Sequence, residues 1–183
     1  MDPIASVFLE FSASHLNVLL GRIEVCLDKL TDEQVWARGG GNENAIGNLG
    51  LHLCGNVRQW IVSGVGGAPD ARQRDTEFDA RGGVPVAELR SRLRRTVEEA
   101  TSVIHALTQE RLTERMLVQG YNVTVLEAVY HVVEHFSMHT GQILFVTKML
   151  TGEDLGFYAH LRSAAGAAGA QGSGAPGAAT KTG

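Results

Sequence analysis

Apolar residues recur at helical spacing in four long segments, which are separated by polar or glycine-rich stretches. The first segment begins at Asp2, a favourable N-cap residue followed by proline, and continues to about Leu30. Three consecutive glycines interrupt the chain after it. The second segment then covers about residues 44–65 and ends in the sequence GVGGAP. These patterns predict two long helices in the N-terminal half of the chain.

Two further helices are predicted in the C-terminal half. The third begins near Pro85, with charged residues on its outer face and apolar residues on its inner face. The fourth opens with Thr124-Val-Leu-Glu127, a capping box in which the hydroxyl and the carboxylate each satisfy a backbone amide. Its apolar spacing continues to about Leu150, which makes it the longest uninterrupted pattern after the first helix.

The links between these helices are long and polar. DARQRDTEFDARGG is predicted to be extended, and MLVQGYNV, before the fourth helix, is predicted to be irregular. Four long helices with such links predict an all-α four-helix bundle over residues 1–162, with crossover connections allowed. Residues 163–183 are mostly Ala and Gly and bury too little apolar area to offset their ordering entropy, so a disordered tail is predicted.

Composition narrows the classes of partner. The chain has 183 residues and a net charge of −4, with scattered Lys and Arg, which argues against nucleic acid or an anionic membrane surface. Its two cysteines, Cys26 and Cys54, form no CxxC pair, and the N-terminus lacks the basic region of a signal peptide. No run of about 18 apolar residues predicts a membrane span. We therefore expect a cytoplasmic protein whose partner is a small molecule.

The stretch HVVEHFSMH places three histidines, His131, His135 and His139, on the apolar stripe of the fourth helix. One such histidine is typical of a hydrogen-bonded core residue, but burying several imidazoles without partners costs a few kcal/mol each. A shared metal ion would offset that cost. The outer two are about 12 Å apart along the axis and neighbours about 6 Å, so one ion would use either the earlier or the later pair.

A further ligand must then come from another helix, and His52 is the best candidate. Asn48 and Asn56 lie about one turn on either side of it, so this face of the second helix is polar near the histidine and apolar to one side. That pattern suits the wall of a cavity better than a dry core. A capped core histidine with amide neighbours is the alternative interpretation of His52.

Two familiar metal motifs are absent. A zinc protease helix requires H-E-x-x-H, but Phe136 stands where the general-base glutamate belongs. A di-iron bundle requires Glu-x-x-His on two helices, and no histidine of the fourth helix has a glutamate three residues before it. The missing carboxylate also favours, as an alternative, a non-catalytic protein that binds a metal or a small molecule.

Three strings resemble the DinB/YfiT-like superfamily, and more narrowly a bacterial subgroup of unassigned function. They are NENAIGNLGLHLCGNVRQWI, RDTEFDARG and YHVVEHFSMHTGQILFVTKMLTGEDLGFY. The resemblance implies a four-helix bundle that holds a divalent metal through His52, His135 and His139. It leaves His131 outside the set of ligands, as a pocket wall, a base or a core residue.

The resemblance also sets expectations for function. Zinc or nickel on three imidazoles would keep an open position for water or a thiolate. The implied activity is that of a metal-dependent transferase or hydrolase acting on a small molecule, with a low-molecular-weight thiol as cosubstrate in some relatives, and the implied assembly is a homodimer. From its position near the middle of the histidine stripe, Gln142 is expected to bond a ligand imidazole or a substrate, or else to be a polar residue at the mouth of the bundle. Asn48 and Asn56, on either side of His52, are expected to line the pocket. A dimeric bundle with vestigial histidines is the purely structural alternative.

Overall fold

The computed structural model describes residues 2–161 and is mostly helical. The first helix, α1, spans Pro3–Leu27, and the side chain of Asp2 accepts the backbone N–H of Ile4 at 2.8 Å, as its N-cap position predicted. It ends three residues before the expected limit. A short helix, α2, spans Asp32–Trp36 behind a capping box that begins at Thr31.

The second predicted helix is present but changes its winding halfway. Its first part, α3, spans Ile46–Val57 and is continuous with a π-helical segment, Arg58–Val65. A π-helix is rare, and where it occurs it often marks a functional site because it re-aims the side chains it carries. Trp60 lies within this segment and is buried.

The segment predicted as an extended link contains a helix. This helix, α4, spans Arg74–Asp79, and its Glu77 is buried. The third predicted helix follows as α5, Val86–His105, with Pro85 as its N-cap. A single 3₁₀ turn, Glu110–Thr113, leads out of it.

The prediction of an irregular segment before the last helix is wrong, because these residues form a β-hairpin. Strand β1, Arg115–Val118, pairs antiparallel with β2, Tyr121–Thr124, so that the first residue of β1 lies opposite the last residue of β2. The two-residue turn places Gln119 at φ 50° and Gly120 at φ 82°. Positive φ at both turn residues matches the right-handed twist of a tight hairpin.

The last helix, α6, spans Val125–Thr151 and begins with the predicted capping box, in which Thr124 and Glu127 bond each other's backbone amides. It ends at Gly152, whose φ of 69° suits glycine. Helices α1 and α3 each pack against both α5 and α6. The core between them consists of large side chains that are fully buried, including Leu16, Ile23, Leu53, Ile61, Leu93, Ile104, Phe136 and Ile143. This packing brings α3 and α6 side by side.

Helix α1 is long and apolar enough to cross a membrane by length and composition, with a mean hydropathy of 1.4 over its most apolar stretch. A core helix passes the same test, and Leu16 and Ile23 of α1 are fully buried within the protein. The helix is therefore only weak evidence of a span. The expectation of a protein without a membrane span stays a prediction.

The chain divides into two compact units, Met1–Glu153 and a second unit that begins at Asp154. All the helices and strands named above belong to the first unit. In the second unit, residues 154–158 have no regular structure and helical backbone begins only at 159. The predicted disordered tail, 163–183, lies outside the described residues, and the predicted domain limit at 162 stays a prediction.

Candidate metal centre

Three histidines converge where α3 faces α6. His52 comes from α3, and His135 and His139 come from α6. The Nε2 atom of His135 lies 3.1 Å from Nε2 of His52 and 3.2 Å from Nε2 of His139. One nitrogen from each ring can be chosen so that all three lie within 4.8 Å of one another. Imidazole nitrogens at this spacing can share one metal ion, because zinc–nitrogen bonds are about 2.0–2.1 Å long.

The geometry separates His131 from this group. Its ring packs against Trp60, with ring centroids 4.1 Å apart, and lies 5.4 Å from the ring of His135. One turn further along α6, His139 instead lies 5.1 Å from the ring of His52. The structure therefore brings the later of the two histidine pairs to His52, and it makes His131 part of an aromatic wall.

Two of the three rings are oriented by hydrogen bonds to their far nitrogens. His52 Nδ1 lies 3.0 Å from Glu77 Oε2, and His139 Nδ1 lies 2.7 Å from Gln142 Oε1. Both oxygens are acceptors, which favours a proton on each Nδ1 and leaves the lone pair of each Nε2 directed to the centre. Arg72 Nη2 also lies 3.1 Å from His52 Nδ1, but it donates to Glu77 Oε2 over a shorter distance, 2.8 Å. His135 differs, because its buried Nδ1 has no hydrogen-bond partner within residues 2–161.

Glu77 is itself held by Arg72. The guanidinium donates from Nε to Oε1 and from Nη2 to Oε2, both at 2.8 Å, so the pair is bidentate. Burial alone would raise the pKa of Glu77, but the hydrogen bonds from Arg72 and His52 outweigh it and hold that pKa below its usual value. Glu77 is therefore a carboxylate that both orients His52 and places negative charge behind it.

This carboxylate approaches α3 at a glycine. A Cβ added to Gly55 would lie 1.9 Å from Glu77 Oε1 and 2.8 Å from Arg72 Nε. No side chain fits there unless the ion pair moves. Gly55 is thus the residue on α3 that allows a carboxylate from α4 to reach His52. The same helix α4 also supplies Phe78, whose ring lies 4.6 Å from the ring of His52.

Asn48, which was expected to line the pocket, has another role. Its Nδ2 donates to the carbonyls of Glu77 at 2.8 Å and Ala80 at 2.9 Å. Its Oδ1 accepts the backbone N–H of Ala45 and a guanidinium N–H of Arg38. Because Asn48 is fully buried and so bonded, it fixes the backbone of α4 rather than facing a ligand.

The electrostatics of the site favour neutral imidazoles. Burial, followed by the neighbouring His139 and His52, lowers the pKa of His135 to about 3. Burial also lowers the pKa of His139, although its hydrogen bond to Gln142 acts in the opposite direction. Neutral imidazole is the form that binds a metal, so these rings need not lose protons at neutral pH before binding one.

A cavity of about 410 Å³ opens beside the histidines. Two of the expected pocket residues, Asn56 and His131, line it together with His52 and His135. The rest of its wall comes from the π-helical segment, the α4 region, the hairpin and the first turn of α6: Trp60, Arg72, Arg74, Gln119, Tyr121, Val123 and Glu127. A space of this size is typical of small-molecule sites.

Sequence reasoning missed the support of His52 and the hairpin wall. Glu77 and Arg72 lie in RDTEFDARG and the residues just before it, a segment that was quoted for its resemblance but given no role. The only signal available was the high density of charge in a segment that interrupts an apolar chain. Burial raises the pKa of the Cys54 thiol to about 12, which makes it a poor nucleophile at neutral pH.

The fold and the site together define a mostly helical protein in which three histidines from two adjacent helices could hold a metal ion. The chain belongs to the family described as "Protein of unknown function (DUF1572)", whose model matches residues 3–161. Comparison with curated proteins gave no match.

A solved structure has the same fold. It is the crystal structure of a conserved protein from Enterococcus faecalis, with a TM-score of 0.68 and 14% sequence identity. The similarity covers 79% of this chain and 97% of that one. At such low identity it supports the fold alone.

Proposed function

We propose that this protein is a divalent-metal-dependent enzyme of the transferase or hydrolase type. His52, His135 and His139 hold the ion, which is zinc or nickel. The observation that carries the proposal is the meeting of three imidazole nitrogens within 4.8 Å, two of them on rings whose far nitrogens already have acceptors. Without an ion, three imidazoles at this spacing, one of them buried and two partly buried, would place nitrogen lone pairs against one another.

Two residues beside the site support the histidines that would hold the ion. Glu77 and Gln142 fix the tautomers of His52 and His139, and the charge of Glu77 increases the basicity of His52. Three protein ligands leave at least one coordination position for water or a substrate. An ion bound there would supply Lewis acidity and would lower the pKa of a bound water or thiol. His52 and His135 line the cavity, so a substrate would approach from that side.

The fold and the substrate class follow from the resemblance to the DinB/YfiT-like superfamily. We assign the chain to its four-helix bundles, an assignment supported by the four long helical segments α1, α3 with its π extension, α5 and α6. The substrate is a small molecule, and a low-molecular-weight thiol is the cosubstrate. An ion held by the three histidines would have an open position for a thiol and would lower the pKa of that thiol, which favours the nucleophilic thiolate form.

Metal analysis of the purified protein tests this function. We expect one zinc or nickel per chain in the wild type and little in His52→Ala. His15→Ala is the matched control, since His15 stacks on Phe11 in α1 away from the site, and it should retain the metal. A folded wild-type protein that contains no metal and takes up none from solution would contradict the proposal.

One observation favours a non-catalytic alternative, a protein that only binds a metal or a small molecule. Among the cavity-lining residues in the described part of the chain, Glu127 is the sole carboxylate, and it is engaged in its capping box. Screening the zinc-loaded protein with electrophiles and glutathione, mycothiol or bacillithiol separates the two. Turnover that disappears in both His135→Ala and His139→Ala would reject the binding-only alternative.

We further propose that the protein is a cytoplasmic homodimer. Helix α1 exposes apolar side chains at spacings of three, four and seven residues: Ile4, Val7, Phe11 and Val18. This spacing is that of a helix that pairs with another helix, and a two-fold axis would bring the same stripe of a second copy against it. Sedimentation analysis should give a dimer for the wild type and a monomer for Phe11→Glu. A wild-type monomer would contradict the pairing.

A further inference from the structure

The cavity beside the histidines contains an unpaired polar group. Asn56 is only 3% exposed and lines the cavity, and its Oδ1 has no hydrogen-bond partner within residues 2–161. Burying an acceptor without a partner is unfavourable, so native proteins rarely leave one in place without a functional reason. An Asn56 amide that faces a cavity is therefore positioned to bond something that enters it.

Different side chains line the cavity at successive levels along α3 and α6. His52 and Asn56 lie on successive turns of α3, and Trp60 follows them in the π-helical segment, while His135 and His131 lie on successive turns of α6. One turn of four residues rises about 6 Å. The amide of Asn56 thus lies about one turn from the histidines, and the ring pair of Trp60 and His131 lies at the level beyond it.

The far end of the cavity is aromatic. Trp60 packs 4.1 Å from His131 and 6.2 Å from Tyr121, measured between ring centroids. Its indole N–H donates to Gln119 Oε1 at 3.1 Å, which ties the hairpin to this wall. Gln119 has a φ of 50°, the left-handed conformation that the two-residue hairpin turn requires at this position. Tyr121 is 61% exposed and offers an accessible ring face.

The charges that line the cavity are balanced. Arg72 is neutralised by its bidentate ion pair with Glu77. Among the lining residues that the structure describes, the remaining charges are one cation, Arg74, and one anion, Glu127. A strongly anionic ligand such as a phosphate would find no uncompensated cluster of positive charge here. The wall suits an organic group without net charge.

We propose that the cavity selects the organic part of the substrate, and that Asn56 is the specificity-determining residue. The substrate carries a metal-binding group at one end, an N–H or O–H donor to Asn56 about one helical turn away, and an aromatic or flat apolar group against Trp60, His131 and Tyr121. This inference rests on the proposed metal-dependent function, because the three histidines anchor the first of these groups.

Three hydroxamates test the proposal by calorimetry on the zinc-loaded protein. Acetohydroxamic acid carries the metal-binding group alone. Hippurohydroxamic acid adds an amide N–H and a phenyl ring in the required order, and its ester analogue replaces that N–H with oxygen. We expect hippurohydroxamic acid to bind about tenfold or more tighter than the other two, since an unmet hydrogen bond and lost ring contact each cost a factor of this order.

Single substitutions show which side chain is responsible for the difference in affinity between the probes. Asn56→Leu, of similar shape, should remove the advantage of hippurohydroxamic acid over its ester and leave acetohydroxamic acid unchanged. Asn17→Leu, the same substitution on the exposed surface of α1, should change neither. Tyr121→Ser, on the exposed hairpin, keeps the test available if Asn56→Leu fails to fold, and should weaken only the two ring-bearing probes.

The outcomes that overturn the proposal are distinct. Equal binding of the three probes, or equal weakening of all three in Asn56→Leu, would reject a role for Asn56 in specificity. If no hydroxamate binds the zinc-loaded protein, the open metal position is wrong, and both the proposed function and this inference fall. If acetohydroxamic acid alone binds, the metal function stands and the substrate class is rejected.

Discussion

The two ends of the α3–α6 contact are built differently. At the histidine end, Glu77 is fixed by Arg72, its backbone is fixed by Asn48, and the far nitrogens of two rings have acceptors. At the aromatic end, Asn56 Oδ1 lacks a partner within residues 2–161, and Tyr121 stands largely in solvent on a two-stranded hairpin. Hydrogen bonds to the far nitrogens of ligand histidines hold the rings in the orientation that a metal ion requires. An unpaired amide and an exposed aromatic ring are less constrained and can adjust to a ligand.

The largest effect is expected from a substitution at the closest contact of the histidine end. Gly55→Ala places a methyl group 1.9 Å from Glu77 Oε1, so the carboxylate and Arg72 must move. We expect a loss of stability of about 1–3 kcal/mol from overpacking and a clear loss of zinc affinity. Thermal unfolding and a zinc competition titration measure the two effects.

Gly141→Ala is the matched control, because a Cβ there meets nothing within 4 Å and the residue lies inside α6. Replacing this helical glycine should raise stability by about 0.5–1 kcal/mol and leave zinc affinity unchanged. If the two alanine variants behaved alike, the close approach of Glu77 to α3 would not matter for the metal.

The next effect compares the two acceptors that orient the rings. Glu77→Gln removes the charge behind His52 and the ion pair with Arg72, so zinc affinity should fall about 10- to 100-fold. Gln142→Leu removes a neutral acceptor from His139 on the partly open side and should reduce the affinity less. The same competition titration ranks them, and a reversed ranking would argue that Gln142 rather than Glu77 is the main support.

The stability of the metal-free protein is expected to depend on pH through the residues of the histidine end. The pKa of His135 is lowered from its ordinary 6.5 to about 3 by burial, so between these values the unfolded chain holds a proton that the folded chain does not. This contribution to stability is fully present above about pH 6.5 and declines as the pH falls. The lowered pKa of Glu77 acts in the same direction at lower pH.

We therefore expect the Tm of the metal-free protein to fall between about pH 7 and pH 5, and to fall less in His135→Leu. Calorimetry after chelation measures both profiles. A metal-free wild type whose Tm is level across this range would show that His135 is not held neutral by its surroundings.

The smallest effect is expected from a substitution in the hairpin turn at the aromatic end. Gln119→Gly relieves the left-handed strain at φ 50° but gives the unfolded chain more freedom, so stability should change by less than about 1 kcal/mol. Trp60 loses its acceptor, and binding of hippurohydroxamic acid should weaken a few-fold, in line with about 0.5–1.5 kcal/mol for a neutral hydrogen bond. Unchanged binding of hippurohydroxamic acid would show that Gln119 does not support the aromatic wall of the cavity.

The sequence was most informative where local rules act. The Asp2 cap, the capping box at Thr124 and the apolar spacing predicted the ends of α1 and α6 to within a few residues. The helical rise divided the histidine row into two usable pairs, and the resemblance chose the later one. The spacing of His135 and His139 on one helix face is a local property, so a single sequence can reveal it.

The support of the site could not be predicted in the same way. Helix α4 has six residues, too few for a periodic pattern, and its position depends on Asn48, which is distant in sequence from the carbonyls it bonds. The hairpin strands have four residues each, and their two-residue turn contains glutamine where asparagine or aspartate is usual. A contact between distant segments thus fixes the position of α4, whereas the hairpin is local and lacks the usual turn sequence.

The central claim is that His52, His135 and His139 share one divalent ion while Glu77 supports them without touching it. A crystal structure of the zinc-loaded protein, with anomalous diffraction at the zinc absorption edge, tests it most directly. We predict one anomalous peak per chain, within bonding distance of one nitrogen from each of these three rings, with Glu77 still bonded to His52 Nδ1. A peak bound by His131 and His135 instead, or no peak between α3 and α6, would contradict the account.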